Sequence, residues 1–163
     1  MGSLSQLFDT QKYKNLRRLR NSNGRGRNAT YFYVLKDDTK YYSEKRFSTG
    51  ELALVRLVEQ IQEVEGHALI LLDEAELALH PKVQIKLLDY LREKAEEKHL
   101  MIFVSTHSPT MIRATQKEQI YLLKEIRQGE IKLITPCYPA SAVGTVDYEA
   151  TNIFDYIFFV EDE

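Results

Sequence analysis

Between residues 67 and 105 the chain carries an apolar run, a proline-led amphipathic pattern and a second apolar run, and this succession leaves few folds open. His67 to Leu72 has no alternation of polar and apolar residues, which predicts a strand covered on both faces. Pro81 stands where a helix can open on a residue lacking an N–H. From there Leu87, Leu88, Leu91 and Ala95 recur on one face up to about Lys98. Leu100 to Ser105 is the second buried run. Strand, helix and strand within about 40 residues make a βαβ crossover, which pairs its strands in parallel. The expected fold class is α/β with a parallel sheet core and flanking helices.

The flanking segments extend this frame. Leu52, Val55, Leu57, Val58, Ile61 and Val64 recur at helical spacing, predicting a helix over 49–65 with Gly66 as its C-cap. Thr30 to Leu35 and Lys40 to Phe47 are rich in aromatic and β-branched residues and read as a β-hairpin turned at Asp37-Asp38. Gln11 to Arg20 reads as a basic helix leading into a Gly/Asn/Ser-rich loop. Pro109 to Ala114 reads as a short helix, and Gln119 to Leu123 and Glu130 to Thr135 as two strands turned at Gln128-Gly129.

Composition excludes several alternatives. With 163 residues, 44% apolar and 28% charged, the chain can bury a core without covalent staples. Its single cysteine, Cys137, rules out an internal disulfide framework and a multi-cysteine zinc site. Apolar runs such as Ala68–Leu72 reach five residues, far short of the roughly 20 that span a bilayer, and Met1–Gln6 lacks the regions of a secretory signal. No membrane association and a cytoplasmic setting are the expectation. The net charge of −2 hides a polarity: seven basic and no acidic residues lie from Lys12 to Arg27, whereas Asp147 to Glu163 carries six acidic and no basic ones. The basic segment is either a solvated face or a salt-sensitive, sequence-indifferent contact for DNA phosphates.

Ligands of open α/β sheets bind beyond the carboxyl ends of the strands. Here those ends carry Asp73-Glu74 and Ser105-Thr106-His107. Two carboxylates and an imidazole on one sheet edge suit phosphoryl chemistry, with one carboxylate holding the water shell of Mg²⁺, the other polarising water and the imidazole contacting a γ-phosphate. The same residues also suit a plain polar strand end. His67, His80 and His99 show no metal-ligand pattern. Ser48-Thr49-Gly50-Glu51 is a capping box by spacing, which needs no ligand, and a helix N-terminus with a hydroxyl and a glycine is equally an anion site.

Four segments in order, Phe47-Ser48-Thr49-Gly50-Glu51, Leu69 to Glu76, Leu79-His80-Pro81 and Ser105 to Pro109, resemble the signature motif, Walker B, D-loop region and switch histidine of the ABC ATPase superfamily. The Asp-Glu-x-Glu-x-x-Leu-His-Pro form is similar to the OLD (overcoming lysogenization defect) and RecF-like branch. The resemblance implies a P-loop NTPase half-domain preceded by a β-hairpin. It also implies that Asp73 assists Mg²⁺, Glu74 is the catalytic base and His107 senses the γ-phosphate. Ser48, Thr49, Gly50 and Glu51 would face the ATP γ-phosphate of a partner protomer in a head-to-tail homodimer. Tyr156 to Glu161 resembles the first strand of a Toprim nuclease domain, which makes Glu161 a metal-ligand candidate there.

The Gly-x-x-x-x-Gly-Lys-Ser/Thr phosphate cradle does not occur in these residues. The resemblance therefore points to the C-terminal half of an ATPase domain, completed by a P-loop-bearing half, and to weak ATP binding by this chain alone. On that reading residues 1–28 end an insertion, 29–135 are the half-domain, and 136–163 are a linker and the first strand of a Toprim domain, with a nuclease domain or subunit as an expected partner. The rival expectation is a non-catalytic interaction module from a split or degenerate ATPase. A transporter ATPase subunit is a third, which Leu79-His80-Pro81 disfavours.

Overall fold

The computed structural model describes residues 2–8, 13, 14, 16–20, 31–37, 40–127 and 129–150. The chain divides after Ser105 into two compact units.

The first unit holds helix α1 (Gly2–Leu7), strands β1 (Leu16–Arg20), β2 (Tyr31–Asp37) and β3 (Lys40–Ser43), helix α2 (Thr49–Glu63), strand β4 (Leu69–Asp73), helix α3 (Pro81–Lys98) and strand β5 (Met101–Ser105). Strands β2 and β3 pair antiparallel as expected, with Asp37 opposite Lys40, and the expected turn residue Asp38 lies outside the described residues. Phe47 lies beyond it, after a short 3₁₀ turn over Glu44–Arg46. One expectation fails here. Residues 16–20 are not the end of a basic helix but a strand, paired antiparallel with β2 from Leu16↔Leu35 to Arg20↔Tyr31. Partners distant in sequence override local helix propensity: β2 takes the backbone hydrogen bonds and Leu16 enters the core. The Arg18 guanidinium reaches Glu59 and Glu63 on α2. Residues 11 and 12, and residues 21–30 with the loop expected over Asn21 to Arg27, lie outside the described residues.

The parallel pairing of β4 with β5 matches the sequence expectation, in register from Leu69↔Met101 to Asp73↔Ser105. The expectation that β4 is covered on both faces does not hold. Ile70, Leu72, Ile102 and Val104 pack against a core built from Leu54, Val58 and Ile61 of α2 and Leu87, Tyr90 and Leu91 of α3. The opposite face stays open, with Leu69 60%, Leu71 72%, Met101 62% and Phe103 47% exposed. The continuous apolar run was correctly a strand with two apolar faces, but elements of this unit cover only one.

Helix α2 ends at Glu63, with Val64 as an extended C-cap, so Gly66 is not its cap. Lys98 does that work instead, its Nζ donating to the carbonyls of Ile61, Gln62 and Val64 at 2.7–3.1 Å. A cation on the last carbonyls of a helix satisfies orphan acceptors and complements the dipole. Helix α3 opens on Pro81 as predicted, with His80 Nδ1 accepting from the Lys82 N–H at 3.3 Å. It closes on His99 in the left-handed conformation (φ 53°), and the His99 ring stacks on that of His67 at 5.2 Å.

In the second unit, α4 (Pro109–Arg113) is capped by Ser108, whose Oγ accepts from the Met111 N–H. Strands β6 (Leu122–Arg127) and β7 (Glu130–Ile134) form the expected antiparallel pair, with Gly129 at φ 83° in the turn. β6 starts later than the sequence suggests because Lys117–Gln119 form a 3₁₀ turn. Residues 136–150, read from sequence as linker, include α5 (Pro139–Ala150), whose Ala142 and Val143 pack with Ile112 and Cys137. Residues 151–163, with Glu161, lie outside the described residues.

Candidate functional site

The carboxyl ends of β4 and β5 bring Asp73, Glu74 and Ser105 together. The register sets Asp73 opposite Ser105, and the Ser105 hydroxyl donates to Asp73 Oδ1. The Glu74 N–H lies 3.2 Å from both the carbonyl and the Oγ of Ser105. Glu74 leaves the strand in the left-handed region, at φ 45°. That conformation costs a non-glycine residue about 1–2 kcal/mol and persists where the surroundings over-determine it. The chain then turns over residues 75–78, with the Leu77 N–H on the Glu74 carbonyl and the Leu79 N–H on that of Glu76. Ser105 completes this constellation. The sequence places it at the end of the second strand, and the strand pairing adds its register opposite Asp73.

His107 follows Ser105 by two residues and belongs to the second unit, where it is exposed. There Thr106 Oγ1 accepts from the Ser108 N–H at 3.0 Å, setting the bend that starts α4.

Ser48 to Glu51 form the capping box expected from their spacing. Ser48 Oγ accepts from the Glu51 N–H at 3.2 Å, and Glu51 Oε2 accepts from the Ser48 N–H at 2.8 Å. Thr49 and Gly50 supply first-turn N–H groups, which have no acceptor within the helix. Gly50 is buried, and a Cβ on it would lie 2.3 Å from the Ala78 carbonyl oxygen. The glycine thus lets the first turn of α2 press against the backbone that follows Glu74. Ala78 is itself left-handed, at φ 62°. Sequence spacing gave no sign of this contact, nor of the bond from the Tyr13 hydroxyl to Glu51 Oε1. The phenol's pKa is raised by burial first and by the Glu51 bond second, so Tyr13 is a neutral donor.

Among the described residues no group of three or more His, Cys, Asp or Glu side chains is placed to hold a metal unaided. Asp73 with Ser105 offers one anionic and one neutral oxygen, the donor type that Mg²⁺ takes alongside several waters.

This α/β architecture, with a parallel β4–β5 pair, helices packed against it and Asp73-Glu74 at the end of β4, is similar in fold to the head of SMC ATPases, a P-loop NTPase fold. A chain from "Structural biochemistry of ATP-driven dimerization and DNA stimulated activation of SMC ATPases" superposes with a TM-score of 0.60 at 17% identity, covering 92% of this chain and 90% of that one. The Smc head domain with a coiled coil and joint from Pyrococcus yayanosii gives 0.58 at 15% identity, covering 92% of this chain and 29% of that one. At such identities the likeness concerns the fold. The AAA ATPase domain family model matches residues 5–112, and the chain belongs to that family. The retron Vc95 probable ATPase of Vibrio cholerae serotype O1 biovar El Tor is 30% identical over 101 residues. That match covers 55% of this chain and 19% of the retron protein, so the chain spans about a fifth of its relative. No described helix is long and apolar enough to cross a membrane.

Proposed function

We propose that this chain forms the C-terminal half of an ATP-hydrolysing domain of the OLD/RecF-like kind, completed by a half that carries the phosphate cradle. The observation that carries the reading is the strand-end constellation: Asp73 and Glu74 at the end of β4, held by Ser105 at the end of β5. Asp73, oriented by the Ser105 hydroxyl, would hold the water shell of Mg²⁺, which when bound supplies charge neutralisation at the phosphates. Glu74, whose backbone N–H is held by Ser105, takes the role of general base, its carboxylate accepting the proton of the attacking water. His107 takes the γ-phosphate contact. Ser48, Thr49, Gly50 and Glu51 serve in trans: the Ser48 hydroxyl and the first-turn N–H groups of α2 meet the γ-phosphate held by a second protomer.

The open face of β4–β5 supports the need for a complementary half. Parallel sheets are ordinarily covered on both faces, and here Leu69, Leu71, Met101 and Phe103 present apolar surface. ATP-driven pairing and stimulation by DNA, named for the SMC ATPases that share the fold, extend to this chain as part of the proposal. So does coupling to a nuclease through a Toprim segment around Glu161. The second reading, a module that only docks a partner, is favoured for the isolated chain by the missing cradle. Calorimetric titration separates the two. On the ATPase reading the isolated chain is expected to bind Mg-ATP weakly and the complete protein to bind it and turn it over. A complete protein that binds Mg-ATP without turnover favours the docking module, and micromolar binding by the isolated chain overturns the half-domain reading. In the complete protein Glu74→Gln abolishes turnover and keeps ATP binding; unchanged turnover removes Glu74 from the role.

A further inference from the structure

We propose that Tyr13 is a positioning residue for the Ser48–Glu51 segment: its hydroxyl fixes the Glu51 carboxylate and, through the capping box, the hydroxyl of Ser48. The inference rests on the reading of that segment as the one that meets the γ-phosphate.

Tyr13 is 1% exposed and donates its phenolic proton to Glu51 Oε1. Its ring is held by Phe8, with centroids 4.9 Å apart, and edge-on by Phe47 at 6.2 Å, the residue directly before Ser48. Glu51 is therefore engaged at both oxygens, Oε1 by Tyr13 and Oε2 by the Ser48 N–H. Its backbone N–H in turn holds Ser48 Oγ. Both bonds of the capping box are exposed, so water competes with them for Ser48 and Glu51. Placement for catalysis needs groups held within about 0.5 Å, which requires a supporting layer whose own rotamers are locked. Tyr13, buried among aromatic rings and 38 residues distant in sequence, supplies that layer.

The chemistry of the ligand gives a second reason. A mobile carboxylate beside a triphosphate repels it. Two donors on Glu51 keep its charge engaged within the box. Because Tyr13 packs with Leu4, Leu7 and Leu16 in the core, the segment before β1 thereby bears on the signature segment.

The test uses the complete, ATP-hydrolysing protein with the variants Tyr13→Phe, Glu51→Ala, their double and Ser48→Ala. Steady-state turnover and thermal unfolding are measured on each. Tyr13→Phe keeps the ring packing and removes the donor. It is expected to lower kcat roughly tenfold with KM for ATP within about twofold, since ATP is held mainly by the cradle of the other half. The double variant is expected to be no slower than Glu51→Ala, because Tyr13 acts only through Glu51. Independent multiplication of the two losses overturns the proposal. So does a Tyr13→Phe variant that melts earlier while keeping wild-type kcat. If Ser48→Ala retains full turnover, the underlying reading of the signature segment fails, a result distinct from failure at Tyr13.

Discussion

Gly50 offers a sharp test of why a glycine stands in the Ser48–Glu51 segment. A family resemblance assigns it to phosphate approach, whereas the structure gives it a packing reason that needs no ligand. A Cβ at residue 50 would sit 2.3 Å from the Ala78 carbonyl oxygen, 3.1 Å from its carbon and 3.3 Å from a methyl of Leu79. To reach even 3.0 Å, below which real Cβ contacts essentially never fall, helix α2 or the 75–79 turn would have to shift by about 0.7 Å. Backbone yields less readily than a side chain, and Ala78 is already left-handed. Overpacking of this kind costs about 1–3 kcal/mol. For a chain of this size each kcal/mol moves Tm by about 2–4 °C, so Gly50→Ala should melt several degrees below wild type without any nucleotide present. The better helix propensity of alanine returns only about 1 kcal/mol at an interior position and less in the first turn. The assay is thermal unfolding of the isolated chain followed by circular dichroism. A Gly50→Ala variant that melts at or above the wild-type temperature refutes the packing argument and leaves phosphate approach as the reason for the glycine.

Lys98→Met removes the donor that serves three α2 carbonyls and is expected to destabilise the chain by about 1–2 kcal/mol, read as a lower urea midpoint. Burial and the Glu51 bond raise the Tyr13 phenol above its usual 10.0, so the folded chain keeps that proton when the unfolded chain has lost it. Stability from this group is whole below about pH 10 and falls as pH rises beyond it; urea midpoints between about pH 9 and 11 should fall less steeply in Tyr13→Phe, and equal slopes would show that the phenol is not the group responsible. Leu71→Glu with Phe103→Glu changes exposed positions only, so the isolated chain should melt as before while association with a cradle-bearing half, measured by co-purification, is lost.

The legible parts of the fold were those written as periodic patterns. Pro81 and the Leu87–Leu91 stripe marked α3 to the residue at its start, and Ser48 with Glu51 marked the entry of α2. The strand character of β1 was not legible, since an Arg/Leu-rich pentapeptide declares itself only when β2 takes its backbone hydrogen bonds. The end of α2 was misread for a related reason: Gly66 is the expected local stop, but Lys98, more than thirty residues away, holds the carbonyls.

For the candidate site, residue types and order in the chain were enough to single out Asp73, Glu74 and the Ser48–Glu51 box, because strand ends and helix starts are set by local chemistry. What folding alone decided is who stands beside whom. Ser105 meets Asp73 because two parallel strands share a register; Gly50 meets Ala78 because a helix start presses on a turn; Tyr13 meets Glu51 across a core. Those contacts join residues about 28 to 38 positions apart. No local pattern specifies such pairs, since their closeness follows from how the buried apolar faces pack together.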